Sequence, residues 1–173
     1  MGKVIYSFAM SLDGFIAGPK GEYDWIPVDD SIDWSEYMGR FDAVLMGRHT
    51  YDILAAQDSE TLFPDKEVYV FSRTIKSTDY QNVTVLPEVN KEFVNKLKES
   101  TERDIWLMGG GRLFQSLLAK NLVDNIEIAV VPILLGKGIT GFPDSQIRRS
   151  LQLIRAIQYK SGIHLLYYKI IKS

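Results

Sequence analysis

No cysteine occurs in these 173 residues, and there are only two histidines, His49 and His164. Disulfides and thiolate ligands are thereby excluded, and a histidine-based metal centre has too few ligands. A cysteine-free chain fits a reducing compartment, so a cytoplasmic location is expected. Positive charge is not in excess either: 20 Lys and Arg against 22 Asp and Glu leave a formal net charge of −2. The basic footprint of a nucleic-acid binder is absent. No apolar run reaches the length of a membrane helix. The N-terminus passes from Lys3 straight into a strand-like run rather than a signal peptide. Repeats, low-complexity tracts and linkers are missing as well. What is there is an ordinary globular composition, 46% hydrophobic and 24% charged, expected to form one domain over residues 1–173.

The stretch from Asp104 to Phe114 carries the densest signal. Ile105 to Met108 has the length of one buried strand, and Leu113, Phe114, Leu117 and Leu118 recur with helical spacing. Between them lie Gly109, Gly110, Gly111 and Arg112. Glycines at a strand-to-helix turn let a ligand approach the backbone, and a helix N-terminus presents free N–H groups and a positive dipole end. An anion such as a pyrophosphate suits that combination. A tight turn that simply needed small residues explains the glycines equally well. The dinucleotide fingerprint itself is not met, because its third glycine position is Phe114.

Strands are read at Val4 to Met10, Ala43 to Met46, Glu67 to Phe71, Val83 to Leu86 and Asn125 to Val131. Asn90 is the expected cap of a helix reaching Ser100, and Thr50 that of a helix starting near Tyr51. Leu151 to Tyr159 and His164 to Ile171 flank a short glycine turn and read as an antiparallel hairpin. Asp29, Asp30, Ser31 and Asp33 crowd the start of a short helix ending near Gly39. Helix capping accounts for carboxylates there, and one aimed into a substrate pocket is the alternative. Ile133 to Ile139 reads as a loop without phosphate-cradle spacing.

Strands alternating with helices, closed by a hairpin, predict an α/β sandwich with a mostly parallel mixed sheet. Ligands of such sheets bind beyond the carboxyl ends of the strands. Four loops at those ends hold the notable residues: 11–18, 47–50, 72–74 and 109–112. Ser72-Arg73-Thr74 offers hydroxyls beside a guanidinium, which suits a phosphate. Convergence of the four loops predicts an extended anionic ligand such as a dinucleotide.

These residues resemble a known superfamily. Val44-Leu45-Met46-Gly47-Arg48-His49-Thr50-Tyr51 and Met108-Gly109-Gly110-Gly111-Arg112 look like the two cofactor motifs of dihydrofolate reductase. Met10-Ser11-Leu12-Asp13-Gly14-Phe15-Ile16-Ala17 and Pro132-Ile133-Leu134-Leu135-Gly136-Lys137-Gly138 are similar to the reductase domain of the bifunctional riboflavin-biosynthesis deaminase-reductase. The resemblance covers nearly the whole chain and implies a dihydrofolate reductase-like three-layer sandwich. It also implies NADPH binding and hydride transfer to a C=N bond of a pterin-like or ribosylaminopyrimidine-like substrate. On it, Arg48, His49 and Thr50 hold phosphates, and Ser72, Arg73 and Thr74 receive the adenosine 2′-phosphate. Gly109, Gly110, Gly111, Arg112, Leu113 and Phe114 line the pyrophosphate and nicotinamide ribose. Ala9 and the loop of Asp13, Gly14, Phe15, Ile16 and Ala17 lie against the nicotinamide. Where dihydrofolate reductase has its helix carboxylate this chain has Ser31, so Asp33 and Asp13 are the expected catalytic carboxylates. Trp25, with Asp33, is the expected wall of the substrate site. A homodimer through the apolar loop 133–139 is also implied, and a non-catalytic nucleotide-binding or sensor domain is the alternative.

Overall fold

The computed structural model describes residues 1–56, 63–75 and 82–171. Its strands are β1 (Val4–Ser11), β2 (Phe15–Ala17), β3 (Phe41–Gly47), β4 (Glu67–Phe71), β5 (Thr84–Leu86), β6 (Asp104–Gly109), β7 (Asn125–Val131), β8 (Ile139–Thr140), β9 (Ser150–Gln158) and β10 (His164–Ile171). Its helices are α1 (Trp34–Gly39), α2 (Arg48–Ala55), α3 (Lys91–Ser100) and α4 (Gly111–Ala119). Eight strands form one sheet in the order β5-β4-β3-β6-β1-β7-β10-β9. Neighbours are parallel from β5 to β7, and β10 is antiparallel to both β7 and β9. This is the expected α/β sandwich, with a mostly parallel mixed sheet and a C-terminal antiparallel hairpin.

Central strands are apolar throughout because both of their faces are covered. In β3, Ala43 and Leu45 join the core that α3 and α4 close with Val94, Leu97, Leu113, Phe114, Leu117 and Leu118. Val44 and Met46 point the other way and pack with Val70, Tyr51, Leu54, Trp106 and Met108. Trp106 stacks on Phe41 and donates from its indole N–H to the Ser7 carbonyl at 3.0 Å, seating β6 against β1 on that face. Fully burying each aliphatic side chain is worth roughly 1.5–3 kcal/mol, so the two cores fix the sheet that carries the loops.

Two local readings change. α2 starts at Arg48 with Gly47 as its N-cap, so Thr50 lies in the first turn rather than at the cap. Phe15–Ala17 and Ile139–Thr140, both read as loop, pair as a small antiparallel two-stranded sheet. No helix among the described residues is long and apolar enough to cross a membrane.

Candidate functional site: a basic cavity at the carboxyl ends of the strands

The carboxyl ends of β3, β4 and β6 open onto a cavity of about 980 Å³. It is walled by Ile16 and Ala17 of β2, Gly47 to Thr50, Ser72 with Arg73, and Gly110 to Leu113. The four loops singled out in the sequence therefore all reach one space.

Two helices begin on its wall, and both begin alike. Gly47 and Gly110 are the N-caps of α2 and α4, and neither first turn is closed by a side-chain hydrogen bond. Their φ values of −81° and −71° are open to any residue. A Cβ on Gly47 would come no nearer than 3.7 Å to the Gly110 nitrogen, and one on Gly110 no nearer than 3.9 Å to Thr50 Oγ1. Protein packing therefore does not demand glycine at either cap; at Gly47 the backbone makes no such demand either, whereas the Gly109–Gly110 peptide bond is cis. The effect of the two glycines is to leave first-turn N–H groups facing the cavity, where the positive end of each dipole adds attraction for an anion. The other glycines of the triplet serve the fold. Gly109 has φ +119°, and a Cβ on Gly111 would meet Pro143 Cδ at 2.6 Å.

The charge on the wall matches. Arg48, Arg73, Arg112 and Lys120 line the cavity together with His49, and Glu88 is the one carboxylate among the described lining residues. A chain of net charge −2 thus presents a locally basic cleft, which focuses attraction for anionic ligands. Arg48 is oriented by its Nη1 donating to Thr74 Oγ1 at 2.7 Å and by Asp52 at 3.3 Å. Thr74 accordingly supports the wall through Arg48. The floor and far side are apolar, with Tyr6, Phe8, Met108, Ile53 and Leu54.

Several site expectations lie off this wall. Phe114 is buried and stacks on Tyr6 with ring centroids 4.2 Å apart. Phe15 and Gly14 belong to the contact with the 139–141 segment, where the Gly14 carbonyl accepts from Gly141 N. Ala9 is half-buried in β1 opposite Ala129. Trp25 is half-buried, and its indole donates to the Glu22 carbonyl at 3.1 Å.

The carboxylates are engaged. Asp13 accepts from Ser11 Oγ at 2.6 Å, Gly136 N at 2.7 Å and Leu135 N at 3.1 Å, pinning the 11–15 loop to the 133–136 loop. Those bonds, the Ser11 hydroxyl foremost, hold its carboxyl below the usual carboxylate range. Asp33 is exposed and caps α1, accepting from Glu36 N at 2.8 Å. It faces a second cavity of about 520 Å³, between α1 and the β9–β10 hairpin. Asp29, buried, accepts from Ser31 N and from Ser161 N at 2.8 Å, tying the approach to α1 to the hairpin turn. Ser161 first and then Ser31 depress its pKa strongly.

Sequence reasoning missed part of the wall. Ser116 and Lys120 line it with Arg112, a spacing of four that places all three on one side of α4. The apolar period of α4 was legible, and its polar counterpart was there to be read. Glu88, Tyr23 and Ile53 gave no such signal.

The RibD C-terminal domain model matches residues 2–165. The chain belongs to that family. The Bacillus subtilis strain 168 protein named Uncharacterized protein YyaP is 32% identical over 177 residues, covering 96% of this chain and 94% of that protein. A crystal structure of a putative riboflavin biosynthesis protein from Shewanella sp. PV-4 superposes with TM-score 0.84 at 26% identity, over 99% of this chain and all of the other. The diaminohydroxyphosphoribosylaminopyrimidine deaminase/5-amino-6-(5-phosphoribosylamino)uracil reductase of Thermotoga maritima shares the fold, with TM-score 0.69 at 16% identity. That match covers 98% of this chain and 57% of the bifunctional one.

Proposed function

We propose that this chain is a cytoplasmic NADPH-dependent reductase that passes a hydride to a C=N-type bond of a small pterin-like or ribosylaminopyrimidine-like substrate. One observation carries the reading: two glycine-capped helices and a ring of cations face the same elongated cavity, and packing does not require those glycines. NADPH, when bound, supplies the hydride; the chain supplies binding, orientation and exclusion of water. Arg48, His49, Thr50 and the α2 N-terminus hold phosphate oxygens. Ser72 and Arg73, with Thr74 behind Arg48, take the adenosine 2′-phosphate. Gly110, Gly111 and Arg112 serve the pyrophosphate. Ile16 and Ala17 close over the nicotinamide end near Ala9, and Asp13 keeps their loop in place by holding 135–136. Trp25 lies off the cavity wall and Asp33 faces the second cavity, so a role for Asp33 requires a substrate that enters from the α1 side.

The engagement of Asp13, Asp29 and Asp33 in local hydrogen bonds favours a second reading, a nucleotide-binding or sensor domain without turnover. Titration with NADPH, followed by fluorescence quenching and thermal shift, tests both. Absence of binding at micromolar NADPH sinks both readings. NADPH oxidation with dihydrofolate or the riboflavin-pathway ribosylaminopyrimidine identifies the reductase, whereas binding without oxidation across pterins and ribosylaminopyrimidines identifies the second.

A further inference from the structure

The charged residues on the wall of the first cavity are cationic with one exception. Glu88 lines it, flanked by Pro87 and Val89, which line it as well. Its side chain is exposed and has no hydrogen-bond or ion-pair partner among the described residues. Helix capping does not account for it, because Asn90 is the residue that caps α3. A carboxylate open to a cavity built for anions is complementary to a ligand group that donates.

The edge of the sheet sets its position. Phe71 pairs with Leu86, and Ser72 N donates to the Leu86 carbonyl at 2.8 Å, so residues 87–89 leave the sheet beside Ser72 and Arg73. Arg73 and Glu88 nevertheless form no ion pair, which leaves each of them to a different group of one ligand. On the far side of β3, α4 follows β6 and lines the same cavity with Arg112, Ser116 and Lys120. Lys120 lies about 12 Å further along the helix than Arg112. The cavity thus continues well past the N-terminus of α4.

Of the parts of NADPH, the phosphates are repelled by a carboxylate, and on the proposed function the nicotinamide lies at the other end, against Ile16 and Ala17. The ribose 3′-hydroxyl stands next to the charged 2′-phosphate at Ser72 and Arg73. The adenine remains. Its 6-amino group is a neutral donor, and carboxylates accept from the exocyclic amino groups of bases. Resting on that cofactor reading, we propose that Glu88 accepts a hydrogen bond from the adenine 6-amino group and so selects a 6-aminopurine over a 6-oxopurine. Pro87 and Val89 give the ring an apolar cover. Lys120 supplies a donor for a ring nitrogen, since the Ser116 hydroxyl already donates to the Arg112 carbonyl at 3.0 Å. A 6-oxo base sets its carbonyl oxygen against the carboxylate, two acceptors with no proton between them.

NADPH and its hypoxanthine analogue, deamino-NADPH, differ only at C6 and N1 of the base. Fluorescence titration of the full chain with each gives two dissociation constants, and the wild type is expected to bind NADPH at least tenfold more tightly. In Glu88→Gln the side-chain amide offers either a carbonyl or an NH₂ group. The ratio should therefore fall to within about threefold, with the melting temperature of the cofactor-free chain unchanged. A wild-type ratio near one overturns the proposal, and so does a ratio that Glu88→Gln leaves as it was. Equal weakening of both cofactors by Glu88→Gln also overturns it, because the carboxylate then meets a group the two share, such as a ribose hydroxyl. Absence of NADPH binding removes the cofactor reading and this inference together, whereas tight NADPH binding without base preference removes this inference alone.

Discussion

The four helices divide into two pairs by how their first turns are closed. α1 begins under Asp33, which accepts from Glu36 N, and α3 under Asn90, which accepts from Glu92 N and Phe93 N. α2 and α4 begin under glycine, with no side chain over their first N–H groups. A capping side chain is worth about 1 kcal/mol, and the chain forgoes it at the two helices that start on the basic cavity. On the proposed function, stability and anion binding compete for the same backbone groups, and each pair resolves the competition differently.

The largest effect is expected of Arg73→Ala, on the cavity the open pair faces: losing a charged hydrogen bond costs roughly 1.5–3 kcal/mol, and NADPH should suffer far more than NADH. Equal losses in the two dissociation constants would remove the 2′-phosphate from Arg73. The contrast itself breaks under serine. Gly47→Ser places a hydroxyl over the free amides of α2 in space the fold leaves open. NADPH affinity is expected to fall about tenfold, roughly 1.4 kcal/mol, while the melting temperature holds or rises. Retained affinity measured by titration would show that the open end of α2 is not used.

Asn90→Ala probes the capped pair. Urea denaturation should show a loss of about 1 kcal/mol, with NADPH affinity changed less than by Gly47→Ser, because Asn90, though next to the cavity-lining Val89, is not itself on the wall. The smallest effect concerns the engaged carboxylates. Asp29 and Asp13 have folded pKa values depressed by hydrogen bonds. Each therefore contributes stability that is present above the unfolded value of about 4 and lost as pH falls through the lower folded value. The urea midpoint of Asp29→Asn should accordingly decline less than that of the wild type between pH about 5 and about 3. Parallel declines would mean that Asp29 makes no difference between its folded and unfolded environments.

Local grammar was legible wherever a residue acts on its own neighbours. Asn90 caps a helix ending at Ser100, and β4, β7 and β10 have the bounds their apolar runs indicate. Thr50 misled because its capping propensity is real, but the helix is capped three residues earlier, by Gly47. β2 and β8 were invisible because strands of three and two residues carry no period, and their pairing spans more than a hundred residues. The carboxylates divide along the same line between local and distant partners. Asp33 caps α1 as its place before the helix indicates, whereas Asp13 is held by Leu135 N and Gly136 N from more than a hundred residues away, which left no local signal.

The sequence by itself determined the class of fold, the glycine and basic loops at strand ends, and the expectation of an extended anion, because periodicity and turn chemistry act over a few residues. Only the tertiary structure decided the strand order that brings loops 47–50, 72–73 and 110–113 to one cavity. It also separated the glycines required by their φ or their neighbours, Gly109 and Gly111, from Gly47, which neither requires. That distinction depends on which atoms stand near a missing Cβ, and those atoms come from distant parts of the chain.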